Sequence, residues 1–178
     1  MAEPESNPND RPAEDENPYA VDKLISQARR LAADYWRATG KPLPGISAEI
    51  AENDAARLLD LELAEDRQAG FDAVGRGARE GRRIQIKCRT IFDESKSGHR
   101  LGQLKLDKDW DSVVLVLMDD SYEPTEIYEA DRAALTAAIE EAGASRRSKR
   151  GPLSIARFKA IGRLVWTREE GAIGDEQD

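Results

Sequence analysis

Asp72, Gln85 and Lys87 are three residues whose types and spacing suit hydrolytic chemistry. They fall in two short strand-like runs, Gly70-Phe71-Asp72-Ala73-Val74 and Ile84-Gln85-Ile86-Lys87, which bracket Gly75, Gly77 and Gly81. Twelve residues separate Asp72 from Gln85, and the pattern predicts a β-hairpin with strands at about 68–74 and 82–89. Side chains alternate along a strand, so Gln85 and Lys87 share one face while Ile84, Ile86 and Cys88 take the other. With the apolar face on a core, the hairpin presents an aspartate, an amide and a lysine together. A carboxylate beside a carbonyl oxygen suits a hard divalent cation, and an ammonium suits a water or a phosphate. That is chemistry for phosphodiester cleavage. The plainer reading is an amphipathic hairpin whose three polar residues form a solvated face.

The elements around the hairpin follow from periodicity. Val21, Leu24, Ile25, Ala28, Leu31, Ala32, Tyr35 and Trp36 recur at helical spacing, ended by Gly40 and Pro42, which predicts a helix over 20–38. Ser47 is the expected N-cap of a second helix running to about residue 60, with Leu61–Leu63 finishing it or starting a short strand. After the hairpin, 90–110 reads as a long loop with a short strand at 102–106. Val113-Val114-Leu115-Val116-Leu117-Met118 is the strongest strand, and its unbroken apolar run predicts a central position covered on both faces. Glu126–Glu129 can pair as a strand, 130–142 is helical and stopped by Gly143, Ser154–Ile161 is amphipathic, and Leu164–Trp166 is a terminal strand or anchor. The order predicts an α/β domain, a small mixed sheet flanked by helices.

Glu52 adds a second carboxylate. On the second helix Ala55, Ala56 and Leu59 follow it at i+3, i+4 and i+7, so it is expected along the apolar stripe, where Lys87 or a metal ion would compensate its charge. Glu49, one turn earlier on nearly the same face, is the reserve candidate. From Ala51-Glu52 through Ala55-Ala56-Arg57-Leu58-Leu59 to Gly70-Phe71-Asp72-Ala73 and Ile84-Gln85-Ile86-Lys87, the chain resembles the PD-(D/E)XK nuclease superfamily of restriction endonucleases and junction resolvases. The resemblance covers about residues 46–142. Gln85 stands where the pattern usually has an acid, and Phe71 where it has a proline.

The resemblance implies a restriction-endonuclease-like α-β-β-β-α-β core and a Mg²⁺- or Mn²⁺-dependent centre. In it Asp72, the Gln85 side-chain carbonyl and the Ile86 main-chain carbonyl would be metal ligands, Glu52 would bind a second ion or hold Lys87 in place, and Lys87 would act on the attacking water. The implied partner is nucleic acid, expected to be DNA. Dimers are common in such nucleases because two strands need two cuts, though no interface is legible in the residues. The rival reading is an inactive member of the fold that binds nucleic acid or a protein; a third is an adaptor that works through its acidic tails.

Charge is unevenly placed. Of a formal net charge of −8, residues 1–18 carry −5 and residues 169–178 another −5, leaving 24 acids and 26 bases between them. The two ends are expected as disordered acidic tails around a single domain over 19–168. Arg146, Arg147, Lys149 and Arg150 form the densest basic run, a candidate clamp on the phosphate backbone or else a solvated loop. The one cysteine, Cys88, excludes an internal disulfide and reads as a buried thiol; no apolar run is long enough for a membrane span, and no signal sequence opens the chain. A cytoplasmic location is expected. His99 reads as a loop residue, and Trp36, Trp110 and Trp166 as core anchors.

Overall fold

The computed structural model describes residues 19–66, 69–142 and 153–174. The basic run at Arg146, Arg147, Lys149 and Arg150 lies outside the described residues, as do 1–18 and 175–178. Two helices open the fold, α1 (Val21–Thr39) and α2 (Ser47–Leu59). They precede strands β1 (Leu61–Leu63), β2 (Ala73–Gly75), β3 (Arg83–Thr90), β4 (Ser112–Met118) and β5 (Pro124–Asp131). Helices α3 (Arg132–Glu141) and α4 (Ile155–Ile161) and strands β6 (Arg163–Thr167) and β7 (Gly171–Ala172) complete it.

The seven strands make one sheet in chain order. Every neighbouring pair is antiparallel except β3 and β4, which run parallel with Gln85 opposite Val113 and Lys87 opposite Leu115. The fold is thus mixed α/β. A parallel pair needs a long return. Here residues 91–111 make it without a helix, and the strand expected at 102–106 is irregular chain instead. Leu101, Leu104 and Trp110 from this crossover are buried, and Arg132 donates to the Leu106 and Trp110 carbonyls, so apolar packing and side-chain bonds fix it together with one antiparallel bridge at Arg100 and Ser154.

β4 shows why a seven-residue apolar run must sit centrally. Val114, Val116 and Met118 face a core completed by Ala32 and Ala33 of α1 and Ile50, Ala51, Ala55 and Leu59 of α2. Val113, Leu115 and Leu117 face the second core, with Leu135, Ala138 and Ile139 of α3 and Ile155 and Phe158 of α4. All seven residues of β4 are buried. Trp110 and Trp166 are core residues, and Trp36 stacks on Phe92 with centroids 3.8 Å apart.

Helix ends differ in one detail from expectation. Ser47 is the first residue inside α2, whose N-cap is Ile46 with no side-chain bond. Ser154 does cap α4, its hydroxyl accepting from Arg157 N–H at 3.1 Å. Secondary structure also runs past the expected boundary at 168, because Gly171–Ala172 adds to β6 as an edge strand.

Candidate active site

Asp72 sits at the fork where β2 and β3 part. Its N–H donates to Ile84 O at 2.8 Å, the last ladder bond between the strands. The next donor on β3, Ile86 N–H, is taken by the Asp72 carboxylate at 2.7 Å. The side chain thereby replaces a main-chain acceptor and holds its carboxylate against the Gln85-Ile86-Lys87 run. Gly70 makes the approach to this fork, with φ +90° and the Lys108 side chain where a Cβ would stand, so only glycine fits.

The expected alternation along β3 holds. Ile84, Ile86 and Cys88 face the α1–α2 core. Gln85 and Lys87 pair with residues whose side chains face the other core. Gln85 is only 1% exposed. Its amide donates to Lys105 O and accepts from Lys105 N–H, both at 3.5 Å, while Trp110 Nε1 donates to the same carbonyl at 2.8 Å. Gln85 therefore tethers the β3–β4 crossover with both ends of its amide. An acid at this position would have no proton for the Lys105 carbonyl, which gives a physical reason for glutamine here. Lys87 is half-buried.

Glu52 and Asp72 do come together. With Glu49, Asn53, Val21, Ile25, Leu63 and Ala64 they line a cavity of about 130 Å³ between α1, α2 and the β1–β2 edge. Gln85 and Lys87 are not among its lining residues. Glu52 is half-buried, Glu49 exposed. Electrostatics place Glu52 near β3: burial first, then the Glu52 charge, push the Cys88 thiol up to about 11, while Lys87 and Arg89 pull it down. Cys88 is thus a neutral thiol at physiological pH, as expected of a structural cysteine.

The buried acid of α2 is Asp54, not Glu52. Asp54 lies in the core-facing row with Ile50, Ala51 and Ala55, and Arg29 of α1 binds it with two bonds of 2.7 and 2.9 Å. Arg57 adds a third contact at 3.3 Å. The cost of a carboxylate on the apolar stripe is therefore met by Arg29. Nothing in the sequence around Arg29, one of two adjacent arginines on α1, marks that partnership. A second buried acid was equally unmarked: Glu129, on β5, accepts from Ser112 Oγ at 2.8 Å and Arg79 Nε at 2.7 Å.

His99 lines a larger cavity of about 650 Å³ at the carboxyl ends of β3 and β4, with Lys96, Glu126, Lys159 and Arg168 on its walls. Its Nε2 is buried without a hydrogen-bond partner among the described residues. All three of those wall cations are already paired, Lys159 with Glu126 at 2.8 Å, Arg168 with Asp119 at 2.6 Å and Lys96 with Asp93 at 3.9 Å.

Among the described residues no three His, Cys, Asp or Glu side chains converge as a ready metal cage. No described helix is long and apolar enough to cross a membrane. No family model matches the chain, and no curated protein matches it either.

Proposed function

We propose that the chain is a nuclease-like domain of the restriction-endonuclease type that hydrolyses phosphodiester bonds, with DNA as its substrate. One observation carries the reading. Asp72 and Glu52, from different elements, line one cavity at the β2–β3 fork, and the Asp72 carboxylate is bonded to the residue preceding Lys87.

The donor set fits Mg²⁺ or Mn²⁺. Such ions keep several waters and take only one or two protein carboxylates plus substrate phosphate oxygens, so a full protein cage is not required. Asp72 and Glu52 would hold the ion, with the Ile86 carbonyl as a third protein oxygen. When bound, the ion supplies Lewis acidity and lowers the pKa of a coordinated water. Asp72 fixes its own carboxylate through Ile86 N–H, so the ligand is positioned before any ion arrives. Lys87, one residue on, is set by its register on the face turned to the other core and is not among the cavity's lining residues, so it would have to reach the attacking water around the edge of β3 at the fork. Gln85 serves by tethering the crossover through Lys105, not as a ligand.

That tether also favours the second reading, a fold member that binds nucleic acid without cutting it, because the position leaves the site one anionic ligand short. Incubating the protein with plasmid, single-stranded DNA and RNA, with Mg²⁺, Mn²⁺ or EDTA, separates them. Metal-dependent cleavage, lost in Asp72→Asn and Lys87→Ala, is the expected result. Binding without cleavage under either metal establishes the second reading, and neither binding nor cleavage overturns both.

A further inference from the structure

Helix α1 carries more apolar surface than its own fold uses. Ala32 and Ala33 are buried against the sheet, with Ile25 beside them half-buried. Val21, Leu24, Leu31 and Tyr35 remain 62%, 43%, 58% and 38% exposed. With half-buried Ala28 they recur at 3-4-3-4 spacing, the two-heptad seam that packs one helix on another. Leu63 of β1, 39% exposed, extends the patch, since it and Val21 line the same cavity.

We propose that this seam is a homodimer interface, in which α1 of one copy packs antiparallel on α1 of a second copy about Ala28. Three arguments select a second copy. The first is supply within the chain. Residues 1–18, 67–68, 143–152 and 175–178 contain no Leu, Ile, Val, Phe, Tyr or Trp, so none of these stretches has the side chains to cover the stripe. The second is area. The five exposed side chains amount to roughly 450 Å² per copy, within the range of the largest apolar patch of a monomer, a patch that is often functional. Doubled, this is about 900 Å² of apolar surface, and the polar flanks must supply the rest of the ~1,200 Å² at the lower limit of a specific interface. The third is complementarity. Antiparallel pairing sets Val21 against Tyr35 and Leu24 against Leu31, and brings Lys23 of each copy to Asp34 of the other. Ala28 at the centre lets the helices approach closely. Asp34 can join that contact because its present partner, Arg37 at 3.2 Å, is an exposed pair of small worth. The seam borders the cavity of Glu52 and Asp72, which Val21 and Leu63 also line, but its test reads association and not cleavage.

The test is sedimentation of the full chain over a concentration series reaching about 0.5 mM, because a small interface implies a dissociation constant in the micromolar range. A concentration-dependent shift to twice the chain mass is expected, and the Leu24→Glu/Leu31→Glu double variant should stay a single chain throughout with an unchanged helical circular-dichroism signal. A wild-type protein that remains a single chain at every concentration overturns the proposal, as does a double variant that associates like wild type. If the double variant loses helix, Asp34→Lys decides: several-fold weaker association, restored by adding Lys23→Glu, supports the interface, and unchanged association overturns it.

Discussion

Asp72 and Ile86 are joined by a single hydrogen bond, main-chain N–H to carboxylate at 2.7 Å, at the point where the β2–β3 ladder ends. The bond gives one side chain two duties. It closes the hairpin fork by satisfying a buried donor, and it fixes a carboxylate in the cavity that Glu52 also lines. A structural aspartate needs only the acceptor oxygen; a metal ligand also needs the charge.

Two substitutions separate those duties. Asp72→Ala leaves the Ile86 N–H unpaired in a buried strand and should destabilise the chain by about 1–3 kcal/mol. Asp72→Asn keeps an acceptor and should lose less than about 1 kcal/mol, yet abolish metal-dependent cleavage. Urea unfolding and a plasmid-nicking assay on both variants check this. Full cleavage by Asp72→Asn would remove Asp72 from the centre.

Gln85→Glu puts an acid at this buried position and is expected to harm the protein. The Lys105 carbonyl keeps Trp110 Nε1 but loses the longer bond from Gln85, and a carboxylate enters a buried site, at a cost of about 1–3 kcal/mol near neutral pH. Burial raises the folded-state pKa of the new acid above its unfolded value, so the penalty grows as pH rises and closes toward acid pH. Unfolding midpoints of variant and wild type should therefore converge as pH is lowered. A constant gap would show that Lys105, not burial, sets the cost.

Most of the architecture was legible because binary patterning is strong in α1, α2 and β4. An unbroken apolar run has few places to go except the middle of a sheet, and β4 is there. The irregular crossover was not legible, because Leu101, Leu104 and Trp110 are too widely spaced to show a period and are placed by tertiary packing and long-range hydrogen bonds. β7 escaped notice because two residues carry no alternation, and its pairing depends on β6 being there first. In the site, the resemblance sets Glu52, Asp72, Gln85 and Lys87 together, and of these Glu52 and Asp72 line one cavity while Gln85 and Lys87 do not line it. Gln85's role was not legible, since the Lys105 main chain that binds it has no sequence signature. Asp54 was missed for a related reason: helical spacing marks the buried row, but the Arg29 that makes an acid tolerable there lies on another helix.

Arg29 gives that last point a measurable form. Arg29→Met should leave Asp54 buried with only the exposed Arg57 nearby, costing about 3–5 kcal/mol by chemical denaturation. Replacing both, as Arg29→Met/Asp54→Leu, should recover much of the loss, because a well-packed apolar pair avoids the desolvation of two charges. A double variant no more stable than Arg29→Met would mean that Arg29 acts mainly through its bonds to the 119–123 turn, where it also reaches the Tyr122 carbonyl and Glu123.

Cys88 reports on Glu52 without any assay of cleavage. Its thiol is raised from 9.0 to about 11 by burial and then by the Glu52 charge. Alkylation by iodoacetamide should thus be slow at pH 8 and climb only as pH approaches 11. Because the folded-state value exceeds the unfolded one, this thiol's contribution to stability is complete below pH 9 and is lost as pH rises through about 11. Glu52→Gln removes the negative charge and should move the alkylation profile to lower pH. A divalent ion held by Glu52 should do the same to wild type, since a cation there favours the thiolate. Adding Mg²⁺ or Mn²⁺ should therefore shift the wild-type profile downward and leave that of Asp72→Asn/Glu52→Gln unmoved. A wild-type profile indifferent to either metal would place the ion elsewhere or nowhere, whatever the nucleic-acid assays return.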